Sequence, residues 1–293
     1  MATPKSTLKA YLYLLPALVI IFTFSIYPIF RSLYLAFAVD YHRFTREIFE
    51  LGTDNFTWLM GNATFHLSLR NTTTFVLGVV PLTIVISLVI ALGIHAVVKG
   101  TTWFRSIYFL PHITSTIAIS TVFQWIFHTN HGILNYMLGW FGVDPIAWLT
   151  HPDWAMPALI IMSVWSNLGF GTVLLLAGLQ TIDKGLYLAA KVDGAGKWHR
   201  FFTVTLPMLS PTLFFLSITS VIGSFRVFGQ VMALFRGPGT ANSALTVVYF
   251  IYQQFWENNA MGRATAAAVV LFAIIFAITM VQMAVGKKLV HYK

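Results

Sequence analysis

The sequence predicts an all-α polytopic membrane protein with six transmembrane helices. Three observations carry this expectation. Of 293 residues, 57% are hydrophobic and only 9% are charged, whereas a soluble domain carries roughly 25% charged residues. A chain this poor in charge cannot cover a water-facing surface of its own size. Its apolar residues fall in runs of about 20 or more, the length a helix needs to cross a bilayer. Such runs as Ile84–Ile90 and Ala266–Met280 lack the apolar/polar alternation of a barrel strand. A soluble enzyme, a nucleic-acid-binding domain and a disordered tail are thereby excluded. The net charge of +9 does not reinstate nucleic acid as a partner, because the basic residues gather in particular loops. With 0 Cys there is no disulfide and no thiolate metal site.

The spans can be taken in order. The first, Tyr11–Ala38, follows Lys5 and Lys9 and ends on Ala36-Phe37-Ala38, the outline of a signal peptide. Its apolar run to Leu35 outlasts the roughly 7–15 residues of a signal-peptide core, so it reads as a retained helix. Thr72–Val98, Ser106–Phe127, Trp154–Gln180, Met208–Phe235 and Ala264–Val285 follow. Pro16, Pro81, Pro111 and Pro157 lie within or near the spans, where neighbouring helices tolerate a kink.

Six spans place both termini on one side. That side holds Lys5, Lys9, Lys99, Arg105, Lys184, Lys191, Lys197, Arg200, Lys287, Lys288 and Lys293, 11 of the 18 Lys and Arg. The positive-inside rule makes it the cytoplasm. Asp40, Glu47, Glu50, Asp54, Asp144, Asp153 and Glu257 fall on the other side.

All nine acidic residues sit in loops. An ion-coupled transporter usually holds its ion on an intramembrane carboxylate, so the rival reading, a secondary transporter or channel acting alone, is disfavoured. No span carries a Ser/His/Asp set, an H-E-x-x-H or paired acids, which removes a membrane-embedded enzyme. Gly194-Ala195-Gly196-Lys197 superficially suggests a phosphate loop. Lys191 stands where its first Gly belongs, and Trp198 replaces the magnesium-binding hydroxyl. Energy for uphill transport must come from a partner, and the one long cytoplasmic loop, Gln180–Pro207, is where a partner can dock.

In that loop Thr181 or Asp183 can cap a short helix, and Leu186, Leu188, Ala189 and Val192 supply its apolar patch. Asp193-Gly194 then makes a turn. The residues by themselves leave two readings open, docking to a protein and lying on lipid headgroups.

Ala189-Ala190, Asp193-Gly194-Ala195 and Leu206-Pro207 resemble the E-A-A-x-x-D-G-A…L-P signature of ABC importer permeases. Tyr11–Leu18 with Tyr27-Pro28, Phe104-Arg105…Phe109-Leu110-Pro111, Gly132–Asn135, Arg236–Gly239 and Ile251–Gln254 resemble further stretches of the carbohydrate-uptake branch, in order along the chain. The chain is similar to the first of two permease subunits in systems for maltose, lactose and glycerol phosphate. This resemblance implies a type I ABC importer permease fold over a single domain, residues 1–293, and import of a sugar, polyol or glycerol phosphate across a bacterial or archaeal plasma membrane. It implies a coupling element of Leu186, Leu188, Ala189, Ala190, Asp193, Gly194 and Ala195. The implied partners are a second permease subunit, two ATPase subunits and an extracytoplasmic solute-binding protein that meets the outer loops Asp40–Arg70, His128–Asp153 and Arg236–Arg263. Membrane lipid surrounds the chain. No cofactor is expected on it; ATP and Mg belong to the ATPase. One departure stands out, because Leu188 occupies the family's glutamate position. It removes a charge-assisted contact with the ATPase worth about 1.5–3 kcal/mol.

Within the spans, Gln124, Asn167, Arg226 and Gln230 are candidate substrate-pathway residues, with Trp125 and Trp165 beside two of them. A mid-span cation costs about 2.5–3.5 kcal/mol to insert, so Arg226 should face a cavity or a partner. Arg226 and Gln230, four apart, would share a helical face suited to sugar hydroxyls; the same groups could equally serve as interhelical glue. Arg31 should snorkel toward the outer headgroups. His128 and His131, with His151 in the same loop, lack a completing carboxylate for a metal. Asn55, Asn62 and Asn71 head glycosylation-type triplets that a bacterial-type permease would leave bare. Gly78, Gly93, Gly169, Gly171 and Gly178 read as close-packing sites between helices.

Overall fold

The structure, a computed structural model, describes residues 4–41, 45, 47–96 and 110–289. The chain divides into two compact units, Met1–Phe65 with Phe250–Ala273 and His66–Tyr249 with Ile274–Lys293.

In the first unit, α1 (Pro4–Ile21) runs through a π segment, Phe22–Ile26, into α2 (Tyr27–Ala36). The expected first span is therefore helical as far as Ala36. Arg31 donates to the Tyr27 hydroxyl at 3.0 Å, one turn back on the same helix. The loop that follows departs from an all-helical chain, because β1 (Ala38–Tyr41) and β2 (Ile48–Leu51) pair antiparallel, with Ala38 opposite Leu51 and Tyr41 opposite Ile48. Helix α3 (Asp54–Gly61) is tied to this hairpin by buried Asn55, whose amide donates to the Ala36 and Ala38 carbonyls at 3.1 and 2.8 Å. Arg263 lies 4.3 Å over the Trp58 ring.

Helix α4 (Ala63–Ala96) begins nine residues before the expected Thr72; Val97 and Val98 lie outside the described residues. The third expected span is described only from residue 110. Residues 110–113 are helical, the helix breaks at Thr114 and Ser115, and α5 (Thr116–Ile126) continues. In the following loop, α6 (Ile133–Gly139) is pinned by buried Asn135. Its amide donates to the Thr129 and Ile146 carbonyls, and its oxygen accepts from the Trp148 indole.

Helix α7 (Pro152–Gln180) starts where Pro152 and Asp153 suit a first turn. Helix α8 (Lys184–Val192) and α9 (Lys197–Arg200) make the long loop, and a π segment, Phe201–Thr205, leads from α9 into α10 (Leu206–Phe225). Here the expected fifth span, Met208–Phe235, needs correction. The helix begins at Lys197 and stops at Phe225, and α11 (Gly229–Phe235) restarts after three residues. The break is internally satisfied. The Arg226 and Val227 amides bond to the Gly223 and Ser224 carbonyls, and the Val227 carbonyl accepts from the buried Thr246 hydroxyl at 3.0 Å. Non-helical backbone at membrane depth persists only when buried or lining a cavity. Helix α12 (Val247–Tyr252), a π segment (Gln253–Glu257) and α13 (Met261–Leu289) complete the chain.

Five helices among the described residues are long and apolar enough to cross a membrane: Leu12–Ala36, Ala63–Ala96, Pro152–Gln180, Lys197–Phe225 and Met261–Lys288. The core of the second unit joins three of them through Ala91, Ile94, Leu175, Leu179, Leu209 and Leu216. Gly171 shows why the packing is close, since a Cβ there would run into Ser87 of α4; Gly78 and Gly178 are likewise hemmed in by Ile160 and Thr212. Gly93 does not follow the expectation, having open space where its Cβ would be.

Candidate functional site

Two features of the second unit stand out. The first is the loop helix α8. Asp183 caps it, accepting from the Gly185 amide at 2.8 Å. At its end the Gly194 amide bonds to the Lys191 carbonyl and the Ala195 amide to the Ala190 carbonyl, the paired bonds of a Schellman stop. Gly194 sits at φ +78°, where a side chain is strained. Tyr187 holds the helix to the body: its hydroxyl lies 3.0 Å from Thr205 Oγ1, and its ring packs against the core with Val204 and Met208. Leu186, Leu188, Ala189, Lys191 and Val192 remain exposed, and Ala190 is half-buried.

The second feature is a cavity of about 260 Å³ between α4, α7, α10 and α11. It lies just below the roughly 300–1,000 Å³ of small-molecule sites. Asn167 and Gln230 line it, as do Thr83, Ser163 and Ser224, and the backbone break contributes Val227. The Asn167 amide donates to the Ser163 carbonyl at 2.8 Å. The buried Thr83 and Ser163 hydroxyls have no hydrogen-bond partner. Such orphaned groups cost about 1–3 kcal/mol each unless something bonds them. His112 stacks on Phe170, ring centres 5.3 Å apart, at the wall. Among the described lining residues there is no Lys, Arg, Asp or Glu. The chamber is lined mainly by hydrogen-bonding and apolar groups, with His112 the one titratable side chain among the described lining residues.

The four candidate pathway residues separate. Asn167 and Gln230 reach the cavity together. Gln124 instead donates to the Ala233 and Leu234 carbonyls at 2.9 and 3.0 Å, bonding the end of α11 to α5. Arg226 is exposed at the break and is not a lining residue. The shared helical face with Gln230 does not exist, because the helix ends at Phe225. Trp125 is exposed, and Trp165 packs edge-on against Phe123; neither lines the chamber. Thr83, Ser163, His112 and the Tyr187–Thr205 pair carry no motif that marks them in the sequence. Elsewhere, His128 Nδ1 accepts from the Asn130 and His131 amides, and the Asn71 amide of α4 donates to the Asn242 and Leu245 carbonyls.

Comparison with known proteins places this arrangement. The family model for the binding-protein-dependent transport system inner membrane component matches residues 83–291. A lactose transport system permease protein of Rhizobium radiobacter is 35% identical over 290 residues, covering 96% of this chain and 95% of that protein. A trehalose/maltose transport system permease protein of Thermococcus litoralis is 31% identical, covering 94% and 93%. Among solved structures, a bacterial ABC transporter involved in the import of the acidic polysaccharide alginate superposes with a TM-score of 0.83 at 25% identity, covering 98% of both chains. The chain has the type I importer permease fold and is a multi-pass transport subunit of an ATP-driven importer, not an enzyme. It therefore belongs to the family of inner membrane components of binding-protein-dependent transport systems.

Proposed function

We propose that this chain is the first permease subunit of an importer for a neutral saccharide. The observation that carries the reading is a chamber whose described lining holds no Lys, Arg, Asp or Glu and whose Thr83 and Ser163 hydroxyls are unpartnered. Sugar hydroxyls both donate and accept, so they can satisfy both groups, and the Phe170 and His112 rings offer a surface for a sugar's CH face. A phosphate or uronate would enter without a fixed cation to meet it. The lactose and trehalose/maltose relatives support the same class.

In this reading residues 1–293 form one permease domain of six spans. Both termini and the Gln180–Pro207 loop face the cytoplasm of a bacterial or archaeal cell. A second permease subunit closes the open side of the chamber and meets Arg226. Two ATPase subunits carry ATP and Mg, and one receives α8. An extracytoplasmic binding protein delivers the solute; a solved alginate transporter has been seen with its periplasmic protein. The assembled transporter in proteoliposomes should accumulate lactose or maltose only with internal ATP, and Thr83→Val with Ser163→Ala should cut uptake about tenfold. Accumulation of glycerol 3-phosphate but neither sugar would refute the solute class. Solute flux through the chain without its ATPase would refute the importer reading.

A further inference from the structure

A second cavity, separate from the chamber, lies between the ends of α4 and α7 and the body-facing side of α8. It measures about 390 Å³, within the roughly 300–1,000 Å³ of small-molecule sites. Its floor is apolar: Ile94, Leu179 and Ile182 belong to the core and are otherwise buried. Its rim is polar. His95 is the last residue but one of α4, Gln180 the last of α7 and Lys184 the first of α8, and all three are exposed. Lys184 and Tyr187, three apart, share the face of α8 that lines the cavity.

The charges select the ligand. No Asp or Glu is among the described lining residues, and Lys184 forms no ion pair among the described residues. Asp183, its neighbour in sequence, is engaged at the helix cap with the Gly185 amide. An ammonium, an imidazole and an amide over an apolar floor suit an anion that carries both hydrogen-bond acceptors and a hydrocarbon tail. Depth points the same way. Helices α4 and α7 are both long and apolar enough to cross a membrane, so their last residues stand where hydrocarbon gives way to headgroups. A lysine at that level on the cytoplasmic side meets anionic lipid. A free phosphate would use the rim and leave the floor to water.

We propose that this cavity binds a phosphate ester, supplied as the headgroup of an anionic phospholipid whose first methylenes cover Ile94, Leu179 and Ile182. The choice of leaflet rests on the orientation proposed above. Tyr187 lines the same cavity and meets Thr205 at the root of α10, so the bound lipid braces α8 against the two spans.

The test uses the transporter assembled with its own partner permease, ATPase and binding protein in phosphatidylcholine nanodiscs. The probe is a phosphatidylglycerol with a photoreactive group near its glycerol. Crosslinks should fall on the end of α4 and on the α7–α8 junction. Added unlabelled phosphatidylglycerol should compete, where the phosphatidylcholine already present does not. Lys184 is exposed, so its substitution leaves the fold intact; Lys184→Gln should lower crosslinking about fivefold, the worth of one lysine at an anionic surface. Lys191 is exposed on the same helix and does not line the cavity, and Lys191→Gln should crosslink at the parental level. Equal losses in both variants would mean diffuse surface attraction and would overturn the site, as would crosslinks confined to other segments. Competition by inorganic phosphate as effective as that by the lipid would assign the site to a free phosphate and overturn the lipid source. Uptake is measured on the same assembly in liposomes. The expected crosslinks without ATP-dependent uptake would refute the importer reading and leave this inference standing.

Discussion

Tyr187 is the most exacting test of how the loop helix is held. Two contributions fasten it, the hydroxyl bond to Thr205 at 3.0 Å and the ring's packing against the core. Tyr187→Phe removes only the first. A part-buried neutral hydrogen bond contributes about 1 kcal/mol, a factor of about 5 in the docked population of α8. Tyr187→Ala removes the ring as well. Full burial would make that about 3–5 kcal/mol, and the half-buried position reduces it to about 2 kcal/mol, a factor of about 30. The assay is the number of ATP molecules hydrolysed per solute imported by the reconstituted transporter. Tyr187→Phe should raise that ratio modestly and Tyr187→Ala severely. Thermal unfolding of the membrane helices should stay near the parent, since α8 projects from their core. A Tyr187→Ala variant that couples at the parental ratio would refute the idea that α8 transmits force through this residue.

Other expectations follow from the same geometry. Gly194→Val places a β-branched residue at φ +78°, costing at least about 1–2 kcal/mol; uncoupled ATP hydrolysis with an intact membrane region is expected, and normal transport would exclude the turn from coupling. Gln124→Leu leaves the Ala233 and Leu234 carbonyls without their amide and should lower stability by about 1–3 kcal/mol, read as a fall in the thermal midpoint with solute affinity unchanged. Cysteines at Lys184 and Asp144, both exposed, should react with an impermeant maleimide from opposite sides of the membrane; labelling of both in intact cells, or of Lys184→Cys alone, would overturn the expected topology.

The sequence carried the spans because bilayer length and charge avoidance act on whole stretches of chain. Trp154–Gln180 ends where the observed helix ends and starts two residues late, and Ala264–Val285 falls short of the observed helix by three and four residues. The fifth span departs from its expected length for a local reason. Nothing in Phe225-Arg226-Val227-Phe228 is a helix breaker; the break depends on Thr246, far along the chain, accepting the role of partner to the Val227 carbonyl. Site residues were harder still. Arg226 drew attention by its charge, and the end of α10 turned it away from the chamber. Thr83 and Ser163 drew none, because Ser and Thr in helices commonly bond the carbonyl a turn back, as Thr72 does to Ser68 and Thr121 to Ile117. Only the arrangement of three helices shows which hydroxyls lack that outlet. The α8 cap and turn were legible, since Asp183 and Gly194 act through their immediate neighbours.

Helix α10 connects the two features, and its geometry suggests how they communicate. Its root, Thr205, meets Tyr187 of the loop helix. Its far end contributes Gly223 and Ser224 to the chamber and gives way to the break. The twenty residues of Leu206–Phe225 make a rod of about 30 Å, and Gly178 brings α7 close against it at Thr212. A rod of that length tilted by about 5° moves its far end by about 2.6 Å, close to the size of one hydrogen bond. The groups that would feel this movement are the ones with most to gain or lose from it, since Thr83 and Ser163 stand on the facing helices α4 and α7 with no bond of their own. On the proposed reading, closure of the ATPase pushes α8, the Tyr187–Thr205 contact carries the push to α10, and the chamber trades its bonds to solute for bonds between its own walls. The break at residues 226–228 lets α11 stay bonded to Gln124 of α5 while α10 tilts. A continuous helix from Lys197 to Phe235 would have to drag α5 with it.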